Sequence, residues 1–179
     1  MAEVTPEESF LIQSYALAEA LVRMRGLEEN HDPLFAEIRE KIFGQAAKTF
    51  AAEGATIFGG QGSLVSIFYM LLVLPLEWKK NSVGEFKELD FSKAEFAANA
   101  RAVVTKDTYP KSGIALKHFR NALAHGRLGW NNGSLVVKDE NAGKEYEAEF
   151  SMEALGEIAQ ALNMATFHFI KKRFGAKNG

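Results

Sequence analysis

The spacing of apolar residues is the feature of this 179-residue chain that most limits what it can fold into. In several segments they recur every three or four positions, the spacing that lines one face of a helix. Thr5-Pro6-Glu7-Glu8 combines a cap, a proline at the first helical position and a capping-box glutamate, which predicts a first helix running to Gly26. Asp32-Pro33 predicts the start of a second, ending at Gly54. The pattern favours a mainly α protein.

The most apolar part of the chain follows a glycine-rich break at residues 58–63 and runs from Leu64 to Leu74. Pro75 is expected to kink or end that helix. The mostly apolar stretch as far as Leu76 is shorter than the ~20 residues that span a bilayer. We therefore expect a buried core helix and no membrane segment.

Three more helices are predicted downstream. Ser92 is a plausible cap for a helix that continues to about Lys106. A helix from Ile114 to His125 should stop at Gly126, because glycine suits the left-handed conformation after a last turn. The final helix begins near Ser151 and has basic residues in its last turn, where cations favour the helix dipole.

One β-hairpin is predicted before the final helix. Leu135–Val137 and Tyr146–Phe150 flank a polar turn at residues 139–144, and an earlier turn falls at residues 130–133. The expected fold is a mainly α, antiparallel up-down bundle of about five to six helices with this small hairpin inserted. We expect residues 1–179 to form a single helical domain, since this length suits one core.

Composition limits the chemistry. The chain has no cysteine, which excludes disulfides, thiolate zinc sites and cysteine nucleophiles. Its N-terminus is acidic and lacks a basic-then-apolar signal pattern, so we expect a soluble cytoplasmic protein. A formal net charge of −2 argues against a general nucleic-acid coating protein.

Positive charge is concentrated in residues 117–127, which contain no acidic residue. This basic patch can engage a few phosphates, although it is too short to follow a long duplex. Its members are Lys117, His118, Arg120, His125 and Arg127.

Residues 120–125, Arg-Asn-Ala-Leu-Ala-His, contain the groups needed to cut RNA without a metal. Arg120 can hold two phosphate oxygens with its planar fork, and His125 can move a proton on or off an oxygen near neutral pH. Asn121, four positions before His125, can orient the imidazole or the phosphate. Five helical positions turn through about 500°, so Arg120 and His125 point about 140° apart. Two copies related by a two-fold axis would each supply what the other lacks.

This stretch resembles the HEPN superfamily, whose RNases carry an Arg-x4–6-His motif on a helix of an antiparallel bundle, often with a polar residue after the arginine. The hairpin after Gly126 and the closing helix also resemble small stand-alone bacterial members, which are often plasmid-borne. The resemblance implies a homodimer with both motifs at the interface. It also implies metal-independent, cofactor-free attack of the ribose 2′-OH on the phosphate, leaving a 2′,3′-cyclic end. Toxin, antiphage and RNA-processing roles occur in the family.

The predicted catalytic residues are therefore Arg120, Asn121 and His125, with Lys117 and Arg127 as RNA phosphate contacts and no metal site. The family branch paired with nucleotidyltransferase antitoxins commonly has a tyrosine two residues after the histidine, where this chain has Arg127. An antitoxin partner thus stays open, but that route to neutralisation is in doubt. The alternatives are a catalytically inactive HEPN-like module that binds RNA or protein, and a structural dimer whose basic patch is merely solvated.

The remaining histidines and carboxylates have simpler interpretations. His118 is assigned a surface or packing role, His31 lies in a loop, and His168 is expected in the core or an interface. The Gly-rich run at residues 59–63 lacks the lysine and preceding strand of a phosphate loop, and indicates a flexible joint or close packing of helices at a dimer interface. The pair Asp139-Glu140 falls in the predicted turn and is interpreted as solvated.

Overall fold

A computed structural model describes residues 5–52, 58, 61–81, 85–110 and 115–175. The chain is mainly helical, as predicted, with one small antiparallel sheet. The helices are α1 (Pro6–Glu29), α2 (Pro33–Ala52), α3 (Gln61–Phe68), α4 (Leu74–Asn81), α5 (Ser92–Arg101), α6 (Ala115–Ala124) and α7 (Met152–Phe174), with a π-helical segment at Tyr69–Val73 and a 3-10 turn at Glu85–Glu88. The strands are β1 (Val103–Asp107), β2 (Leu128–Asn131), β3 (Ser134–Asn141) and β4 (Lys144–Phe150).

Side-chain caps begin α1 and α7 where the sequence predicted them, but the cap predicted at Ser92 was wrong, because Ser92 is already helical and Phe91 precedes it without a side-chain cap. The Thr5 hydroxyl accepts from the Glu8 N–H at 3.2 Å, and the Glu8 carboxylate accepts from the Thr5 N–H at 2.9 Å. The Ser151 hydroxyl accepts from the Ala154 N–H at 3.2 Å at the start of α7. The first helix continues past Gly26 to Glu29, because one glycine inside a helix costs only about 1 kcal/mol.

The apolar segment forms the centre of the molecule as one interrupted helix. It begins at Gln61, so residues 61–63 are helical and not a flexible joint, whereas close helix packing there at a dimer interface stays a prediction; residues 59 and 60 lie outside the described ranges. Pro75 does not end it. A wider π turn precedes the proline, with the Leu74 N–H bonded to the Tyr69 carbonyl, and this geometry accommodates a residue that has no N–H.

One face of this segment packs into the protein. The stretch Gln61–Lys79 has the length and apolar character of a membrane span, which a buried core helix shares. Its inward side chains join the main hydrophobic core, as predicted, and support a soluble protein. They are Leu64, Ile67, Phe68, Leu71, Leu72 and Val73.

The sheet is larger than the single predicted hairpin. The hairpin β3–β4 is present, with Leu135 opposite Phe150 and a tight turn at Ala142-Gly143, but β1 and β2 extend it to the order β1-β4-β3-β2. Helix α5, predicted to continue to about Lys106, ends at Arg101, because the β-branched run that follows it pairs with β4. All five β1 residues are exposed, so no buried face marked this strand in the sequence.

Helix α6 lies between the sheet and the central helix. The Phe119 ring is 4.8 Å from the Phe68 ring and 5.3 Å from the Phe150 ring, centroid to centroid. Helix α6 also contacts α5, and α5 in turn packs along α7. The up-down order of the helices stays a prediction, but the helix that carries residues 120–125 is fixed on two sides.

Candidate functional site

The end of α6 is defined by glycine geometry, as the sequence predicted. Gly126 has φ +64°, and the Arg127 N–H returns to the Ala122 carbonyl at 2.8 Å. His125 stands directly after the helix, with its backbone N–H still bonded to the Asn121 carbonyl at 3.0 Å. His125 is exposed to solvent, and its imidazole makes no hydrogen bond to any described residue. A substrate can therefore reach it.

Arg120 is held on another side of the same helix. Its guanidinium forms an ion pair with Glu77 of α4 and donates to the Asn121 side-chain oxygen at 2.7 Å. The side chain is 19% exposed, and its Nε is buried without a hydrogen-bond partner among the described residues. The predicted phosphate clamp thus has an internal carboxylate as its resting partner.

Asn121 bridges the motif to the sheet. Its Nδ2 donates to the Asp139 carboxylate at 3.0 Å while its Oδ1 accepts from Arg120. The amide therefore orients the arginine in this chain. No hydrogen bond joins it to the His125 imidazole within one protomer, and its predicted role in orienting the imidazole or the phosphate stays a prediction.

Lys117 and Arg127, the two predicted phosphate contacts, are both exposed and have different surroundings. Arg127 donates to the Glu140 backbone carbonyl at 2.7 Å, which ties the residue after the helix to the hairpin. Lys117 and Arg120 line one side of a cleft of about 510 Å³ between α4, α5 and α6. Asp90 and Glu95 line the same cleft, so its charge is mixed.

His118 is buried rather than part of a basic surface. Its Nδ1 lies 2.7 Å from the Asp139 carboxylate, and both side chains are 4% exposed. Its ring stacks on Tyr146 at 4.1 Å and lies 4.6 Å from the Tyr109 ring, so the packing role predicted for it is confirmed. The prediction that Asp139 is solvated was wrong, because Asp139 continues the inward face of β3.

The Tyr109 and Tyr146 rings surround His118 with largely apolar surface. Burial raises the pKa of Tyr146 to about 12, with a smaller contribution from the Asp107 charge. Burial also raises the pKa of Tyr109, and the Asp139 charge adds to it. By hydrogen-bond geometry neither hydroxyl is paired within the part of the chain that the structure describes, although the Tyr109 hydroxyl lies close enough to Asp139 for that carboxylate to raise its pKa. His118 and Asp139 are therefore each other's main polar contact on this side.

In the folded protein, acidic side chains from other elements lie beside the basic patch. It has no acid in sequence, but Asp139 faces His118 and Glu77 faces Arg120. Across the described ranges, no group of three or more histidine and carboxylate side chains could hold a metal ion. His31 lies in the turn between α1 and α2, as predicted. His168 is exposed on α7, so the core prediction for it was wrong, and an interface role stays a prediction.

Comparison with known families decides the relationship. The family model described as HEPN pEK499 p136 matches residues 20–172, from within α1 nearly to the end of α7. The chain belongs to this HEPN family. The match includes all of residues 120–125, and membership indicates an HEPN-type nuclease or toxin-like function, since HEPN domains are typically RNases. A comparison with curated proteins finds no match, and neither does one with solved structures.

Sequence reasoning missed two residues that contact the HEPN motif. Asp139 carried a usable signal: Leu135, Val137 and Asp139 alternate along β3, which places all three on the buried face. Glu77 carried none, because its contact with Arg120 depends on how α4 packs against α6.

Proposed function

We propose that this HEPN protein is a metal-independent endoribonuclease that acts as a homodimer, with a toxin or antiphage role in the cytoplasm. The supporting observation is that the family match spans the whole motif, while His125 stands exposed at the end of α6. Arg120 and Asn121 lie at the same end of this helix in a hydrogen-bonded arrangement.

The proposed reaction is an internal transfer within RNA. His125 of one protomer removes the proton of the ribose 2′-OH, whose oxygen attacks the adjacent phosphorus. The bond from phosphorus to the 5′-oxygen breaks, and that oxygen takes a proton from water, to which the imidazolium of the same histidine returns its own proton. The products are a 2′,3′-cyclic phosphate and a free 5′-OH. Arg120 neutralises the charge that builds on the phosphate, with Lys117 and Arg127 on flanking phosphates.

A dimer is proposed because one copy makes a sparse site. Arg120 faces α4 and Glu77, whereas His125 projects from the end of the helix. Within one protomer no hydrogen bond or ion pair joins these two described side chains. A two-fold axis beside α6 would bring the histidine of one copy to the arginine of the other.

One observation favours a second candidate, an inactive HEPN-like module that binds RNA or a protein such as an antitoxin. The Arg120 guanidinium already has two protein partners, Glu77 and Asn121, so it is partly neutralised before any phosphate arrives. A module of this kind binds without cleaving, and replacing Arg120 weakens its binding.

The test is incubation of purified protein with total RNA and with tRNA in EDTA. We expect cleavage by the parent and a loss of at least about 100-fold in His125→Ala, which removes a proton-transfer group, and in Arg120→Ala, which removes charge stabilisation of the phosphate. Two matched controls lie elsewhere on the surface: His31→Asn in the α1–α2 turn, whose positive φ asparagine tolerates, and Arg23→Ala on α1, whose side chain is 80% exposed. Both should cleave like the parent.

The outcomes separate the two candidates. Cleavage that survives the chelator and disappears only in the two motif variants supports the RNase. Undiminished cleavage by both motif variants overturns it. An inactive parent that binds RNA, and binds it less well as Arg120→Ala, supports the binding module.

A further inference from the structure

A buried polar network connects the sheet to the HEPN motif. His118 Nδ1 and Asn121 Nδ2 both contact the same Asp139 oxygen, at 2.7 and 3.0 Å. Asn121 Oδ1 then accepts from Arg120 at 2.7 Å. The chain of contacts therefore runs from an imidazole through a carboxylate and an amide to the guanidinium.

The carboxylate determines which way the Asn121 amide faces. An ionised carboxylate can only accept hydrogen bonds, so it selects the NH2 end of the amide. The carbonyl end must then face Arg120, which can only donate. Turning the amide over would set oxygen against oxygen at Asp139 and donor against donor at Arg120. Asp139 thereby ensures that an acceptor faces the guanidinium.

His118 in turn fixes Asp139. A buried carboxylate is costly unless it is hydrogen-bonded, and the imidazole supplies the second donor. The ring itself is held by stacking on Tyr146, the residue directly opposite Asp139 in the β3–β4 ladder. Buried ionic pairs are often no more stabilising than apolar pairs of similar volume, so stability alone does not account for this cluster.

We propose that Asp139, held by His118, is a positioning residue for the RNase site: it sets the Asn121 amide and through it the direction of the Arg120 guanidinium. This inference rests on the proposed function. It gives the hairpin a role in catalysis without contact with substrate, because β3 supplies the group that orders the motif from behind.

The test replaces the buried polar pair by an apolar pair in the double variant His118→Phe with Asp139→Leu. Outer groups of this kind typically contribute about 10- to 100-fold to activity, so we expect kcat on a single-stranded RNA oligonucleotide to fall by that factor while KM changes little. His118→Asn is the conservative control, because its amide can donate to Asp139 as Nδ1 does; it should retain most activity. Glu140→Gln, an exposed neighbour, should match the parent.

A second readout does not depend on activity. In NMR, hydrogen exchange of the Asn121 side-chain amide should be slow in the parent and as fast in the double variant as at Asn132, an exposed residue in the β2–β3 turn. If the double variant does not fold, Asp139→Asn removes the charge and keeps the shape. It should show the same changes, reduced in size.

The two proposals fail in different ways. An active parent with unchanged kcat and unchanged Asn121 exchange in the folded variant overturns the positioning role and leaves the RNase standing. An inactive parent removes the RNase. The exchange measurement then decides alone whether Asp139 orders Asn121, since fast exchange in the variant supports it and slow exchange overturns it.

Discussion

At the scale of single residues, the resting partner of Arg120 is the feature with most consequence. A phosphate that binds the guanidinium must compete with Glu77, whose side chain is 39% exposed. Ion pairs this accessible are worth about 0.2–1 kcal/mol, so removing the competitor should have a modest, measurable effect. In the proposed RNase, Arg120 is therefore partly neutralised before RNA binds.

We predict that Glu77→Gln raises RNA affinity about two- to fivefold, because the phosphate no longer displaces a carboxylate. The measurement is fluorescence anisotropy of a labelled single-stranded RNA, with His125→Ala as background to prevent cleavage. Glu95→Gln is the matched control, since Glu95 lines the same cleft and its loss changes the net charge equally. Equal gains in both variants would mean that only net charge matters, and the ion pair would then have no part in binding.

Residue types predicted the chemistry at this scale but not its neighbours. The motif spacing pointed to Arg120, Asn121 and His125, and the structure leaves His125 exposed while joining Arg120 to Asn121. Asp139 was assigned to a solvated turn because the strand was expected to end before it. Strand β3 continues to Asn141, and its alternation of inward and outward side chains extends to Asp139, which is what buries the carboxylate.

At the scale of secondary-structure elements, the end of α6 sets the direction of His125. Gly126 has φ +64°, a conformation that side chains with a Cβ adopt only at a cost. The Gly126 N–H returns to the Leu123 carbonyl and the Arg127 N–H to the Ala122 carbonyl, both in the last helical turn. This turn is what carries the chain from the motif into β2.

We predict that Gly126→Ala destabilises the protein by about 1 kcal/mol, because alanine is strained in the left-handed region. Gly156→Ala, inside α7, should have the opposite sign and stabilise by about 0.5–1 kcal/mol, since a Cβ there meets no atom within 4 Å. Urea unfolding followed by circular dichroism measures both. Two changes of the same sign would contradict the backbone argument, as the substitution is identical.

The sequence predicted helix starts better than sheet edges. Side-chain caps at Thr5 and Ser151 are local signals, so they appear where expected. Strand β1 has five exposed residues and gains its conformation by pairing with β4, about forty residues later. Because all of its residues are exposed, β1 shows no alternation of apolar and polar residues in the sequence. The preceding helix was therefore predicted to continue to about Lys106.

At the scale of the whole molecule, the sheet and the central helix clamp α6 from two sides. Phe119 contacts Phe68 on one side and Phe150 on the other, while polar contacts reach the same helix from Glu77 and Asp139. Membership of the HEPN family and the mainly helical fold followed from sequence, because a short motif and helical periodicity are both local. The cross-element contacts did not follow, because they depend on how distant segments pack.

Mixing two inactive variants tests whether the two copies of the proposed dimer share their active sites. If each site takes Arg120 from one copy and His125 from the other, a mixed dimer of Arg120→Ala with His125→Ala contains one site with both residues intact. Random mixing after unfolding and refolding makes about half of the dimers mixed, each with one working site of two, so activity should return to about a quarter of the parent's. The measurement is cleavage rate against mixing ratio, with sedimentation velocity to establish that dimers form. Each variant refolded alone is the control and should stay inactive. A mixture that forms dimers but remains inactive would rule out sites shared in this way, because every mixed dimer would then still lack a residue that its partner should have supplied.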